Sequence, residues 1–426
     1  MWFESKRHLE LRENRLFIGG KDAEALAKKY GTPLYVYNGG RIIDNYKRLF
    51  DAFKEHSKNE FSINYAMKAN SHFQILKIVK EQGAGIDAVS PNEARLALKA
   101  GIPKEKIIFT GTSVSDSDLK ELVELGVLIN VDSFSQLNRL AKIKINSKIS
   151  IRWNPGEGAG HHGHTITAGK FIKFGIPEDK IIGAFKHAKE LGFNVVGLHQ
   201  HIGSGWLGKD VDVFLNTVEK TLRIAKEAEE VLGKKLEFVD FGGGPGIPYK
   251  GDGAEFPVEK YAKGICEKVT NSGFGGRILI EPGRYIAGDA GILLVEVNTV
   301  EEKNIPVIGL NAGFNILIRP AFYGSYHEVV LCRNVGGNAK KEYMLAGNLC
   351  ETSDVFNENT KALRPLPIVE EKDILAILCA GAYGQVMASN YNLRGRAAEL
   401  LILDGNEKLI TEKENLDDII SKQVKD

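Results

Sequence analysis

The chain is short of cysteine, of net charge and of long apolar runs, and each shortage excludes something. Four cysteines in 426 residues (Cys266, Cys332, Cys350 and Cys379) form no CxxC pair. Such sparsity points to a reduced, cytoplasmic protein rather than a disulfide framework. Lys and Arg number 56 against 55 Asp and Glu, for a formal net charge of +1. With no basic run or face, nucleic acid is not an expected partner. No stretch of about 18 apolar residues occurs, so no membrane span is expected. The opening MWFESKRHLELREN is charged and lacks an apolar signal core. Neither an internal repeat, a low-complexity tract nor a long linker is visible. What remains is an ordinary globular composition, 43% apolar and 26% charged, long enough for two domains.

From residue 61 to 283 short apolar runs alternate with helical periods. The runs are FSINYAMKA, GIDAVS, KIIFTG, VLINVDS, KISIRWN, VVGLHQHIG, KLEFVDFGGG and RILIEPG. Helix signals separate several of them. After GIDAVS, Ser90 reads as an N-cap, Pro91 as the first helical residue and Glu93 as the capping-box partner. VDVFLNTVEKTLRIAKEAEEVLG is long and amphipathic. Eight strand–helix alternations in roughly 220 residues predict a (β/α)8 barrel. The fold class is therefore α/β plus β. The barrel, over 31–285, carries a second, mostly β domain, a sandwich or barrel, over 286–426. The N-terminal strands within 1–30 are expected to join that second domain.

In such barrels chemistry gathers at the C-terminal strand ends. Here those ends are Lys68, Asp87, Thr110-Gly111, Asp132, Arg152, His201, Gly242-Gly243-Gly244 and Glu281. Each has a bland alternative. Lys68 could simply mark where a strand meets water, and His201 could be a satisfied core histidine. FGGGPGI could be a tight turn; Pro245 rules out a dinucleotide-type GxGxxG reading. The Glu281–Arg284 spacing in IEPGR could be a local ion pair. Together, though, they supply an amine, a cradle for phosphate, a flat ring and a carboxylate. Pyridoxal phosphate needs these four: a lysine to carry it, amides for its phosphate, a ring to stack on it and an acid beside its nitrogen.

YAMKAN, GAGIDAVSPNE, HQHIGS, GGGPGI, EPGR, NILIRPAFYGSYH, CETSD, GAYG and SNYNLRGRAAE, with YGTPLYVYN near residue 30, resemble the fold-type III pyridoxal-phosphate-dependent amino-acid decarboxylases. The likeness runs in motif order through nearly the whole chain. It is nearest to the members that convert meso-2,6-diaminopimelate to L-lysine and CO2. It implies that Lys68 carries the cofactor, that Asp87 and Arg152 belong to the cofactor site, and that His201 stacks on the ring. Ser204, Gly242, Gly243 and Gly244 would hold the phosphate, and Glu281 the pyridine nitrogen. Arg284, Arg319 and Tyr323 would bind the distal substrate carboxylate. Cys350 would be the proton donor and Glu351 the partner of the distal ammonium. In this family that pair reaches the site of a neighbouring subunit, so a homodimer with shared sites is implied. Tyr383 would lie near phosphate and substrate.

Three features depart from the family pattern. FTGTSVS (109–115) lacks a usual Asn-rich stretch, and Asn311 stands where an acid is usual. The segment 154–176 carries His161, His162 and His164 without the cysteine or carboxylate spacing of a metal site, so no metal is expected. A loop at the site mouth is the expectation there, and Lys173-Phe174-Gly175 at its end fits the family again. Three rival readings stay open. A sister decarboxylase acting on ornithine, a D-amino acid or a polyamine precursor would be expected to carry Asp where Glu351 stands. A binding protein on the same fold would be expected to lose Lys68 or Cys350. A racemase would use a tyrosine from the β domain and would not need CETSD.

Overall fold

The computed structural model describes residues 9–144, 147–156, 158, 167–169, 171–251, 253–338 and 340–424. The chain divides into two compact units, one formed by Asn45–Ile247 with Ala254–Ile286, the other by the residues up to Asp44, Pro248–Gly253 and the chain from Ala287 onward.

In the first unit, eight strands form a closed barrel, and a two-residue strand, Ile176–Pro177, pairs in parallel with the end of the fifth. The barrel strands are β1 (Phe61–Ala66), β2 (Gly85–Ala88), β3 (Ile107–Phe109), β4 (Leu128–Val131), β5 (Lys148–Asn154), β6 (Asn194–His199), β7 (Phe238–Asp240) and β8 (Arg277–Ile280). Each pairs in parallel with the next, and β8 returns to β1 through Ile278 and Phe61, closing the barrel. Parallel strands covered on both faces read as unbroken apolar runs, which is why the sequence marks them so clearly. The intervening helices include Phe73–Glu81, Pro91–Lys99, Asp116–Leu125, Phe134–Ile143, Glu178–Glu190, Val211–Leu232 and Val258–Ser272. No helix among the described residues is long and apolar enough to cross a membrane.

Short polar devices fix where helices leave the strands. Ser90 Oγ accepts the Glu93 amide at 3.1 Å, as an N-cap should. The Glu93 carboxylate accepts the amide of Val89, at 2.7 Å, rather than that of Ser90 as the capping-box expectation had it. The same arrangement recurs after β4. Ser133 caps Gln136, whose side chain accepts the Asp132 amide at 3.1 Å. In both turns the anchor grips the residue just before the cap, and so holds the rim where Asp87 and Asp132 stand.

The opposite end of the barrel is plugged by apolar side chains. Ile108, Val196, Phe238 and Leu279 form a buried cluster, with Leu128 packed against it. The glycine at 197 makes room for it, because a side chain there would meet the Phe238 ring.

The second unit is built on the long strand Gly291–Glu302, which pairs antiparallel with Leu34–Asn38, Pro306–Leu310 and Ile374–Ile377. Leu34–Asn38 also pairs in parallel with Ala398–Leu403. The N-terminal share of this unit therefore runs to Asp44 rather than ending with residue 30. Further upstream, Leu9–Arg12 and Arg15–Ile18 form a hairpin, joined by Lys21–Asp22 in a sheet of its own. Glu13 and Asn14 at its turn both have positive φ, 51° and 61°, the pattern of a type I′ turn. Asn311 is a sheet pin: its side chain accepts the Glu296 amide at 3.0 Å and donates to Thr32 Oγ1 at 2.6 Å.

Emptying the barrel plug should be costly. Phe238→Ala is expected to lower unfolding free energy by about 3–5 kcal/mol, read as a fall in the urea midpoint at unchanged slope.

Candidate active site

The strand ends of the barrel unit converge on a rim crowded with charge. Lys68 sits in a single 3₁₀ turn, Met67–Ala69, directly after β1. Its ammonium lies 2.6 Å from Asp87 Oδ2, with the lysine side chain 35% exposed and the aspartate fully buried. Thr110 Oγ1 donates a short hydrogen bond to the other Asp87 oxygen. An amine poised this way is accessible to a ligand while its carboxylate partner is fixed from behind.

Arg152 at β5 is buried and lies over the Phe174 ring, 4.8 Å from its centre. Burial draws its affinity for the proton down, opposed by the carboxylates of Glu281, Asp132, Asp87 and Asp240. Asp132 is shifted up by burial, against hydrogen bonding from Thr112 and attraction to Arg152. The FTGTSVS stretch thus contributes Thr110 and Thr112 as partners of two rim carboxylates.

His201 is held well below the usual imidazole range, by burial first and then by Lys68 and Arg152. It is therefore a neutral ring at physiological pH. Its Nδ1 accepts the Gly243 amide at 3.1 Å, which fixes the tautomer with the proton on Nε2. Glu281 at the end of β8 is pushed up by burial. Its neighbour and hydrogen-bond partner His199, with Lys68 and His201, outweighs that and holds it at about 2. The His199 Nε2 to Glu281 Oε2 distance is 3.1 Å. The other oxygen, Oε1, is buried with no hydrogen-bond partner among the described residues. A buried ionised carboxylate oxygen without a donor is a place for a ligand N–H.

The glycine turn after β7 divides its labour. Gly242 has φ of 69° and Gly244 has φ of 121°, conformations that L side chains rarely adopt. A Cβ at 242 would meet the Gln200 carbonyl, one at 243 the Glu281 carbonyl, and one at 244 Trp206 and the Gly203 carbonyl. The first two amides are used within the protein, Gly242 N toward Asp240 and Gly243 N toward His201. Their contribution to a cradle is closeness rather than donated hydrogen bonds. Beside the turn, Arg284 Nε and Nη2 both lie 3.4 Å from Ser204 Oγ. Arg284 is buried, and with Ser204 it offers positive charge and a hydroxyl suited to a phosphate.

The remaining expected residues lie in the other unit. Arg319 is fully buried; its Nε donates to His327 Nε2 at 3.2 Å and its guanidinium lies 5.1 Å from the Tyr249 ring and 6.0 Å from that of Tyr323. Tyr383 has φ of 56°, a strained value for a bulky residue and one often kept at functional positions. Cys350 is exposed, and its amide donates to Asn392 Oδ1 at 2.8 Å. The next residue, Glu351, accepts a long contact of 3.4 Å from the Tyr391 hydroxyl. Asp354 anchors this loop by accepting the amides of Phe314 at 2.6 Å and Leu349 at 2.8 Å. His161, His162 and His164 lie outside the described residues.

The sequence reading passed over His199, Asp240 and Asp354. A signal for the first two existed. His199 and His201 are two apart at a strand end, and Asp240 interrupts the apolar run of β7.

Known proteins add the following. A family model described as the pyridoxal-binding domain of pyridoxal-dependent decarboxylases matches residues 40–288. Diaminopimelate decarboxylase of Methanothermobacter thermautotrophicus is 44% identical over 418 residues, spanning 96% of each chain. That of Aquifex aeolicus is 35% identical, spanning 99% of this chain and 98% of its own. The crystal structure of diaminopimelate decarboxylase from M. jannaschii in complex with L-lysine superposes with a TM-score of 0.91 at 34% identity, covering 99% and 98% of the two chains.

The cysteines should separate by reactivity. Burial raises Cys266 to about 11 and Cys332 further still, and Cys379 is also buried. Brief treatment with iodoacetamide at neutral pH is expected to label Cys350 first, read by peptide mass spectrometry. Faster labelling of any other cysteine contradicts this order.

Proposed function

We propose, for a chain that belongs to the pyridoxal-dependent decarboxylases and within them to the diaminopimelate decarboxylases, that it removes the D-centre carboxylate of meso-2,6-diaminopimelate. The products are L-lysine and CO2, which makes this the last step of lysine biosynthesis. The observation that carries the reading is the barrel rim. There an accessible amine, a neutral imidazole and a buried ionised carboxylate stand among glycines that admit no side chain. That set fits pyridoxal 5'-phosphate. When bound, the cofactor provides an electron sink for the pair left behind as CO2 departs.

The protein's own groups divide the remaining work. Lys68 holds the cofactor, and Asp87 orients its amine. Glu281, with its buried oxygen Oε1, would face the ring nitrogen and keep a proton there. His201 presents a neutral face, which does not compete with the ring for positive charge. Ser204, Arg284 and the tight glycine turn take the phosphate, with Tyr383 near phosphate and substrate. Arg284, Arg319 and Tyr323 recognise the distal carboxylate, and Glu351 the distal ammonium. Cys350 delivers a proton from Sγ to the α-carbon and is recharged from solvent. The exposure of Cys350 and Glu351 supports a further part of the proposal, that the active unit is a homodimer in which this pair serves the site of a second copy. A biosynthetic enzyme relying on a free thiol fits the cytoplasm.

Substrate choice tests the activity. Ornithine and lysine lack the distal carboxylate and would forgo its buried pairing with the guanidinium groups, a loss of about 3–5 kcal/mol. Discrimination is therefore expected to reach about a hundredfold or more in kcat/KM, read as CO2 release across a panel of diamino acids. Ornithine turnover within about tenfold of diaminopimelate would transfer the reading to a sister decarboxylase. The shared site has its own check. Lys68→Ala and Cys350→Ala protomers, each inactive, are mixed and allowed to exchange. Heterodimers with one intact site should restore up to about a quarter of wild-type activity. Exchanged dimers that stay inactive would place the whole site in one chain.

A further inference from the structure

Behind the carboxylate that faces the cofactor stands a second buried carboxyl. His199, Asp240 and Glu281 come from the ends of three adjacent strands, β6, β7 and β8, and all three side chains are buried. One polar atom from each lies within 4.8 Å of the other two. Two carboxylates this close and away from water cannot both stay charged, so the group holds one proton between them. Geometry says which acid keeps it. Glu281 Oε2 is 3.1 Å from His199 Nε2, and His199 Nδ1 has no hydrogen-bond partner among the described residues, so the ring donates from Nε2. Glu281 thus receives a donor. Asp240 accepts the Gly242 amide at 2.9 Å and shares a carboxyl–carboxylate hydrogen bond with Glu281, an arrangement in which Asp240 is the member that carries the proton.

We propose that His199 and Asp240 are positioning residues that keep Glu281 as the charged member of this cluster, and so hold the proton on the cofactor's ring nitrogen. The proposal rests on the pyridoxal-phosphate reading above. It is consistent with the directions of the two acids. Burial first, and then the Glu281 charge, drives Asp240 well above the usual carboxylate range, while Glu281 stays at about 2. The surroundings do not change the assignment. Lys68 just after β1 and His201 just after β6 bear on Glu281, Asp87 of β2 on Asp240, and Arg152 of β5 and the Tyr261 hydroxyl of the helix Val258–Ser272 on both, while Asp132 faces Arg152. Lys68 and Arg152 favour an anion at Glu281, and Asp87 disfavours a second one at Asp240.

The test uses full-length enzyme loaded with pyridoxal phosphate isotopically labelled at the ring nitrogen, followed by nitrogen NMR. Wild type should show a protonated pyridine. Asp240→Asn, neutral like the protonated acid, should leave the resonance in place. His199→Phe removes the donor and should shift it toward neutral pyridine, and His199→Gln, which keeps an N–H, should bring it part-way back. Infrared difference spectroscopy gives a measurement that does not depend on the His199 variants folding. Wild type should show a buried protonated-carboxyl band, and Asp240→Asn should abolish it. A resonance that moves in Asp240→Asn, one that stays in His199→Phe, or a missing carboxyl band overturns the proposal. Wild-type protein that takes up no labelled cofactor overturns the reading beneath it, and the proposal with it.

Discussion

Charge that water cannot reach must be answered by an opposite charge or a proton, and that constraint shapes the rim of the barrel. Asp87, Asp240 and Glu281 are buried there with Arg152, and each finds an answer. Asp87 meets Lys68 and Thr110, Glu281 meets His199, and Asp240 keeps its proton. Leaving any one of them uncompensated would cost several kcal/mol, a large part of what a domain has to spare. The same constraint makes the site reactive. A set of buried charges in near balance, with Lys68 part-exposed at its edge, accepts an anionic cofactor at little further desolvation cost.

The scaffold makes that crowding tolerable. Eight parallel strands close so that their C-terminal ends meet, while the far end is filled by Ile108, Val196, Phe238 and Leu279. Polar capping, as at Ser90–Glu93 and Ser133–Gln136, fixes the turns between strand and helix. Glycines at 242, 243 and 244 let backbone approach backbone where side chains would collide. Rigid support below and close backbone above leave the functional side chains little freedom to relax away from one another.

Much of this was legible in the residues. The barrel strands announce themselves because strands buried on both faces are continuous apolar runs. The rim announces itself because seven of the eight runs close on a polar residue and the other on three glycines. The strand Leu34–Asn38 was harder to assign. LYVYN reads equally well in either unit, and its partners, Gly291–Leu294 and Ala398–Ile402, lie hundreds of residues away. Gly242 and Gly243 were expected to donate to a ligand, but nothing in FGGG shows that Asp240 and His201 claim those amides. The role of His199 was hidden for a similar reason. In HQH one histidine sufficed for the chemistry, and only the pairing of β6 through β7 to β8 brings the other to Glu281.

The pairing of Leu34–Asn38 also bears on how the chain comes off the ribosome. Residues 34–38 are made early, yet their parallel partner is Ala398–Ile402, close to the end. All eight barrel strands, from Phe61 to Ile280, are made in between. The barrel unit has its strands in hand while the first segment of the other unit is still waiting for most of its sheet. Folding order is thus imposed by synthesis: a stretch rich in Leu, Tyr and Val stays unpaired longest, and it is the part of the nascent chain most in need of protection from aggregation.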